Sequence, residues 1–145
     1  MRLLGDPFTD EERAAFLRHA LSLLGVPWRH QGRTERGIDC AGVPWWCMAK
    51  VRSVAKPRTD YGRLPHNNKL REELIRYLGE PVPGLPQPGD IATLKWSGEE
   101  NHVVVVVPHH ERPFGFLHAS NSDGKVVQHG ADAQWRHRIV ERWVL

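Results

Sequence analysis

Apolar and polar residues alternate with two different periods along this chain, and the period changes past its middle. In the first half, apolar residues recur every three or four positions, as on one face of a helix. Three such stretches predict helices over about residues 10–24, 40–54 and 68–78. From Ile91 onward, short apolar runs predict strands instead. Helices followed by strands are typical of an α+β fold.

Turn and capping residues define the ends of the first two helices. Thr9 and Glu12 have the spacing of a capping box, in which the threonine hydroxyl accepts from a first-turn amide. Pro27 follows the first helix as a stop signal. Pro44 is tolerated only near a helix start, where the amides lack intrahelical partners. The second helix is therefore predicted to begin at Cys40.

The second half predicts an antiparallel sheet. A rigid connector with four prolines, residues 81–89, separates it from the helices. A turn is predicted at residues 97–100, and the valine run 103–107 predicts a strand buried on both faces. We expect a single domain over residues 1–145, with three helices packed on five or six strands. The strands are predicted over residues 91–96, 102–107, 114–119, 125–128 and 139–145.

Composition and charge narrow the classes of protein that this chain can represent. The net charge is +3, which fits a solvated surface or one that meets polyanions such as cell wall. The sequence has no nucleic-acid-binding motif, and no apolar run reaches the roughly 18 residues of a membrane span. The N-terminus lacks the apolar core of a signal peptide. We therefore expect synthesis in the cytoplasm and another export route for any role outside it.

Cys40 is the candidate nucleophile. At a helix N-terminus, the helix dipole and the free amides stabilise a thiolate and lower the thiol pKa. The same amides can donate to a developing oxyanion. Most free cysteines are instead small buried hydrophobes, and that alternative stays open for Cys40. Cys47, seven residues later and amid apolar neighbours, is interpreted as structural, and both cysteines are expected to be reduced.

Two later histidines are candidates to work with this cysteine. His102 opens the valine strand, where a general base can keep one ring edge at a surface. His118 lies between apolar residues and could orient His102 and fix its tautomer. A strand-end surface histidine and a satisfied core histidine are the respective alternatives. A zinc site of Cys40, His102 and His118 is a further possibility, although it lacks short ligand spacing. His129 and the other histidines show no partner pattern.

Five segments, in sequence order, resemble the NlpC-type cell-wall cysteine peptidases, a papain-like family with permuted order. Residues 25–32, Gly-Val-Pro-Trp-Arg-His-Gln-Gly, resemble the family's Gly-x-Pro-Tyr loop, and residues 38–42, Ile-Asp-Cys-Ala-Gly, resemble its Asp-Cys-Ser-Gly motif. Residues 85–91 resemble its Pro-Gly-Asp segment. Residues 101–103 and 117–119 resemble the strands of its base and third residue. The resemblance implies a papain-like NlpC-type fold.

The resemblance also implies an activity, which is hydrolysis of stem-peptide bonds in peptidoglycan, typically the γ-D-glutamyl bond to the diamino acid. Cys40 would attack the carbonyl, His102 would deprotonate Cys40, and His118 would orient His102. The second helix is expected to point its N-terminus at His102 across a groove. No metal ion and no organic cofactor are implied.

Further residues of the matched segments are implied to contact the substrate or its oxyanion. Asp39 would bind the cationic end of a stem peptide, and Trp28 and His30 would line the groove. Trp28 replaces a tyrosine whose hydroxyl helps to line the oxyanion site, and Ala41, beside the nucleophile, replaces a serine. The loss of an oxyanion donor lowers rates on the order of 100- to 1000-fold where measured. A structural assembly protein on the same fold is therefore an alternative. A thiol acyltransferase or amidase is another, because acyl transfer and hydrolysis share a thioester intermediate.

Within this family, residues 28–32, 60–63 and 126–129 with Trp135 most resemble the phage-tail and gene-transfer-agent branch. Members of that branch would be made without a signal peptide and delivered by the particle. The resemblance thus implies phage-tail-like particle proteins as partners, and the periplasm or cell wall as the place of action.

Overall fold

The structure is a computed structural model that describes residues 2–57, 69–96 and 99–145. Two predictions fall partly outside these residues, the turn at 97–100 and the start of the third helix; the segment 60–63 lies wholly outside them. The helices are α1 (Asp10–Ser22), α2 (Gly42–Val51), α3 (Lys69–Leu78) and α4 (Ala133–Arg136), and the strands are β1 (Arg33–Thr34), β2 (Gly37–Ile38), β3 (Ile91–Trp96), β4 (Glu99–Val107), β5 (Gly115–Ser120), β6 (Lys125–Gly130) and β7 (Ile139–Trp143).

The predicted α+β fold is confirmed. Five strands form one antiparallel sheet in the order β6-β5-β4-β3-β7. Four of these strands follow one another along the chain as neighbours, and β7 returns to pair with β3 at one edge. β1 and β2 form a separate two-stranded hairpin before α2.

The central strand β4 is buried on both faces, as the valine run predicts. None of the five valines at 103–107 is more than 2% exposed. Val103, Val105 and Val107 belong to the core formed with the helices, because side chains on a strand point alternately to opposite faces. Val104 and Val106 belong to a second, smaller core on the far face.

The predicted capping box is present at the start of α1. The Thr9 hydroxyl accepts from the Glu12 amide at 3.1 Å, and the Glu12 carboxylate accepts from the Thr9 amide at 3.0 Å. The helix ends at Ser22, close to the predicted position.

The prediction that α2 begins at Cys40 is wrong by two residues. Ala41 is the N-cap residue and Gly42 is the first helical residue. The reason is Asp39, whose carboxylate accepts from the Gly42 amide at 2.9 Å and so starts the helix after Cys40. Pro44 then takes the third helical position, where its missing N–H costs nothing. The helix also ends early, at Val51 rather than near residue 54.

Two short elements were not predicted from the sequence. The β1–β2 hairpin spans residues 33–38, and α4 lies between β6 and β7. Asp132 caps α4 by accepting from the Trp135 amide at 3.2 Å. Among the described residues, no helix has the length and apolar character that crossing a membrane requires.

Candidate active site

Cys40 lies in the turn between β2 and α2, where it is partly buried against the main core. The turn is held by Asp39, whose carboxylate accepts from the Gln31 amide at 3.0 Å and from Arg33 at 2.7 Å. Gln31 adopts a left-handed backbone conformation with φ of 60°, which is uncommon for a residue with a side chain. The hairpin loop and the helix start are thus tied together around Cys40.

Two glycines allow the hairpin to approach the helix this closely. A Cβ atom on Gly42 would lie 2.4 Å from the carbonyl oxygen of Gly32. A Cβ atom on Gly32 would lie 2.3 Å from the carbonyl oxygen of Gly37. A side chain at Gly42 would push the hairpin loop away from α2, and a side chain at Gly32 would force the two arms of the hairpin apart.

The first-turn amides of α2 were predicted to be available to a thiolate or an oxyanion, but they are not. The Gly42 amide donates to the Asp39 carboxylate, the Val43 amide donates to the Asp39 carbonyl at 3.3 Å, and Pro44 has no N–H. The N–H of Ala41, by contrast, lies toward the Cys40 sulfur and lowers its pKa. Ala41 is therefore the residue of this turn whose backbone interacts with the Cys40 thiol.

The expectation of a lowered pKa for Cys40 is wrong. Burial raises the pKa of the Cys40 thiol to about 12, and the neighbouring charge of Asp39 adds to the rise. The N–H groups of Val103 and Ala41 and the charge of Arg33 oppose the rise without reversing it. Cys40 is therefore a neutral thiol near neutral pH.

The two predicted histidines form a hydrogen-bonded pair. Nε2 of His102 lies 2.8 Å from Nδ1 of His118, and the two rings meet nearly at right angles. β4 carries one extra residue between the positions opposite Leu94 and Lys95, next to His102, and such bulges re-aim side chains near functional sites. The backbone of Val103, the residue after His102, is close enough to Cys40 to lower the pKa of its thiol, so Cys40 lies near the strand that carries His102.

Both histidines are neutral near neutral pH. Burial, and then the proximity of His129, lowers the pKa of His102 to about 4. Burial, followed by His102 and His129, lowers the pKa of His118 to about 2. The site therefore rests as a neutral thiol beside neutral imidazoles.

His129 is a member of this cluster that was missed from the sequence. Its Nε2 lies 2.9 Å from Nε2 of His118, and its Nδ1 lies 3.1 Å from the carbonyl oxygen of Gly130. The turn at 121–124 could have predicted this contact, because it sets the register of the β5–β6 hairpin and places Phe116 opposite His129. Phe116 and His118 share a strand face, so that register brings His118 and His129 together diagonally.

The remaining predicted site residues are placed as follows. Trp28 and His30 stack on one another, with ring centroids 6.4 Å apart. Their contact with substrate stays a prediction. Asp39 is 3% exposed and its carboxylate binds Arg33 and two amides, so it does not fit the predicted role of binding a substrate amine.

The zinc alternative does not fit the arrangement of the side chains. Both ring nitrogens of His118 face other histidines, one toward His102 and one toward His129, and do not converge with a thiol on one point. Over residues 2–57, 69–96 and 99–145, no group of three or more His, Cys, Asp or Glu residues is arranged to hold a metal ion.

The sequence of this chain matches a known family and several characterised proteins. A family model described as the NlpC/P60 family matches residues 25–144. The chain is 23% identical to the murein DD-endopeptidase MepS/murein LD-carboxypeptidase of Escherichia coli K12 over 117 residues, which are 81% of this chain and 54% of that protein. The chain thus spans about half the length of the curated relatives that it matches.

Solved structures show the same fold. The NlpC/p60 domain of the peptidoglycan hydrolase SagA has a TM-score of 0.63 and 19% identity, over 92% of this chain and 98% of that one. The peptidoglycan hydrolase RipB of Mycobacterium tuberculosis has a TM-score of 0.63 and 20% identity, over 92% of this chain and 64% of that one.

Proposed function

The chain belongs to the NlpC/P60 family, and from this premise we propose that it is a cysteine peptidase that cleaves the stem peptides of peptidoglycan. The observation that carries the proposal is the hydrogen-bonded pair of His102 and His118, next to Val103, whose backbone interacts with the Cys40 thiol. Covalent acyl transfer needs a nucleophile, a base beside it and a third group that orients the base. The similarity to a murein endopeptidase supports the substrate class.

In the proposed mechanism, His102 accepts the thiol proton of Cys40 as the sulfur attacks the scissile carbonyl carbon. The S–H bond breaks, a C–S bond forms, and the carbonyl oxygen becomes an oxyanion that accepts from the Ala41 amide. Protonated His102 then gives its proton to the leaving amine as the scissile C–N bond breaks, which leaves a thioester on Cys40. Water, deprotonated by His102, attacks the thioester carbon, the C–S bond breaks to release the acid product, and His102 returns the proton to the sulfur.

His118 orients the base in this scheme. Its hydrogen bond of 2.8 Å holds the His102 ring and strengthens when His102 becomes an imidazolium, because charged hydrogen bonds are the stronger ones. His118 is 3% exposed, so little water competes for that bond. We propose His118 as the third residue of a Cys-His-His triad.

The bond that we propose as the target is the γ-D-glutamyl bond to the diamino acid, and the stacked Trp28 and His30 are proposed to line the groove that receives it. Since Asp39 is occupied by Arg33, recognition of a free amine on the substrate does not enter the proposal.

The test is digestion of diaminopimelate-type peptidoglycan by the wild type, Cys40→Ala and Cys47→Ala, with the soluble fragments identified by mass spectrometry. Cys47 is the matched control, since it is the second free cysteine and is buried in the core away from the turn. New stem-peptide fragments from the wild type and Cys47→Ala, and none from Cys40→Ala, would support the proposal and name the bond.

Other outcomes would favour the alternative functions. No fragments from a folded wild-type protein would point to a non-catalytic assembly protein on this fold. A thioester can also be resolved by an amine. If added primary amine is incorporated into the products faster than water, the chain is an acyltransferase.

We further propose that a phage-tail-like particle delivers the protein to the periplasm or cell wall and that particle proteins are its partners. The support is the sequence of residues 28–32 and 126–129 with Trp135, which resemble that branch. Mass spectrometry of particles purified from a producing strain tests this proposal. Absence of the chain from intact particles, with the chain recovered from the same cells, would contradict it.

A further inference from the structure

We propose that His129 is a positioning residue that fixes the tautomers of both His118 and His102, so that Nδ1 of His102 stays unprotonated and can accept the Cys40 proton. The inference rests on the proposed function, because it assigns a role toward the proposed base. It concerns a histidine outside the proposed triad, at the far end of a row of three hydrogen-bonded imidazoles.

The direction of the row is set at its far end by a backbone carbonyl. Nδ1 of His129 lies 3.1 Å from the carbonyl oxygen of Gly130, and a carbonyl oxygen can only accept. The proton in that contact is therefore on Nδ1 of His129. A neutral imidazole carries one ring proton, so Nε2 of His129 is an acceptor.

The same reasoning passes to the next two rings. Nε2 of His118 lies 2.9 Å from the acceptor Nε2 of His129, so the proton in that contact is on His118. Nδ1 of His118 is then an acceptor, and Nε2 of His102, 2.8 Å away, donates to it. His102 is left with its lone pair on Nδ1, which is the form that a general base requires.

The opposite direction is disfavoured by the same carbonyl. If His102 accepted from His118, then His118 would have to accept from His129, and a neutral His129 would point the lone pair of its Nδ1 at the oxygen of Gly130. His102 would also carry its proton on Nδ1 and could not take one from a thiol through that atom. The carbonyl of Gly130 therefore selects one of the two directions in which the three imidazoles could donate hydrogen bonds to one another.

Aromatic packing holds the row in place. The indole of Trp135 lies with its centroid 4.3 Å from the His129 ring and 5.4 Å from the His118 ring. Phe116 meets His129 edge-on from the neighbouring strand at 6.1 Å. These contacts restrict rotation of the imidazoles, and a ring that cannot flip keeps its two nitrogens facing the same partners.

The burial of the rings suits the two roles. His118 is almost fully buried, so an unmade hydrogen bond on either of its nitrogens is costly. His129 is partly exposed at the edge of the sheet and is therefore the member of the row that can be replaced with the least damage to folding. This difference makes His129 the better position for a test.

The experiment compares the wild type, His129→Phe and His129→Gln. Phenylalanine keeps the ring packing on Trp135 but offers no acceptor to His118. Glutamine can donate from its amide to Gly130 and accept from His118 with Oε1, so it can restore the direction of the row. His110→Phe is the matched control, because His110 is exposed on the loop between β4 and β5.

Two readouts are taken. The first is the protonated nitrogen of each imidazole, from two-bond proton–nitrogen correlation spectra of ¹⁵N-histidine-labelled full-length protein. The second is kcat and KM for stem-peptide cleavage. We expect His102 and His118 protonated on Nε2 and His129 protonated on Nδ1 in the wild type. In His129→Phe we expect mixed tautomers at His118 and His102 and a loss in kcat of about 10- to 100-fold, the range that losing an outer partner of a functional histidine costs at metal sites.

The outcomes separate this proposal from the proposed function. Recovery of tautomers and kcat in His129→Gln supports a positioning role, since a purely structural defect would not respond to an acceptor. Unchanged tautomers in His129→Phe, or protonation of His102 on Nδ1 in the wild type, would overturn it. If the wild type cleaves no peptidoglycan but its tautomers shift as expected in His129→Phe, the proposed function fails and the direction of the row stands.

Discussion

Arg33 pairs with Asp39, the residue immediately before the candidate nucleophile, through a contact of 2.7 Å between Nη1 and Oδ1. Both side chains are largely buried, with 12% and 5% exposed. Arg33 also donates to the carbonyl oxygen of Gly32, so one guanidinium joins the β1–β2 hairpin to the start of α2. Asp39 is thus part of the scaffold that presents Cys40.

We predict that Arg33→Met destabilises the protein by about 3 kcal/mol or more, because it leaves a buried carboxylate without its cation. The free energy of unfolding in urea measures the effect. Arg76→Met is the matched control, since Arg76 is 43% exposed and pairs with Glu73 nearer the surface, where such pairs contribute about 1 kcal/mol or less. Equal, small losses in the two variants would contradict a structural role for the pair at Cys40.

Replacement of His118 tests the orientation of the base. We predict that His118→Ala lowers kcat by about 100-fold or more with little change in KM, since an unoriented base in the wrong tautomer costs up to about 10⁴-fold in serine peptidases. His118→Gln, which can still accept from His102, should lose less. Steady-state cleavage of a defined stem peptide gives both constants, and exposed His137→Ala serves as the control. A normal kcat in folded His118→Ala would remove His118 from the proposed triad.

Alkylation tests the state of the thiol. With its pKa raised to about 12 by burial, Cys40 should react with iodoacetamide near pH 7 far more slowly than an exposed cysteine, because the thiolate is the nucleophile. The rate should keep rising as the pH is raised toward 10. Mass spectrometry of Cys40→Ala and Cys47→Ala separates the two thiols. Rapid alkylation of Cys40 with a plateau near pH 7 would instead show a thiolate paired with a protonated histidine.

The buried histidines predict how stability depends on pH. Their pKa values are lowered, to about 4 for His102 and about 2 for His118, from about 6.5 in the unfolded chain. As the pH falls below 6.5, the unfolded chain binds protons that the folded protein does not, so the free energy of unfolding falls by ~1.4 kcal/mol per pH unit for each such histidine.

Urea unfolding at pH 7, 6 and 5 measures how the free energy of unfolding changes with pH. In this range most carboxylates remain ionised and contribute little to the change. His118→Phe removes one of the groups and should make the dependence shallower. A free energy of unfolding that is constant between pH 7 and 5 would mean that these histidines are not held neutral by the fold.

Local signals were enough to predict most of the elements. Thr9 and Glu12 cap α1 through contacts between near neighbours, and the valine run of β4 carries its burial in its own composition. The strand pairs follow from short turns such as the one at 121–124. The start of α2 was predicted two residues too early, although its signal is also local. Asp39 lies three residues before Gly42, a spacing that lets its carboxylate cap the helix.

The sequence by itself determined the α+β fold, the family and the identity of Cys40, His102 and His118 as candidate residues, because these depend on patterns read within short segments. Only the tertiary structure decided that Cys40 has a raised pKa, that Arg33 forms an ion pair with Asp39, and that His129 is hydrogen-bonded to the pair of His102 and His118. Burial removes water from a thiol, and strand register brings two rings into contact, only after distant segments have packed. The pKa values and the ring contacts therefore depend on the folded environment of each side chain and cannot be predicted from its neighbours along the chain.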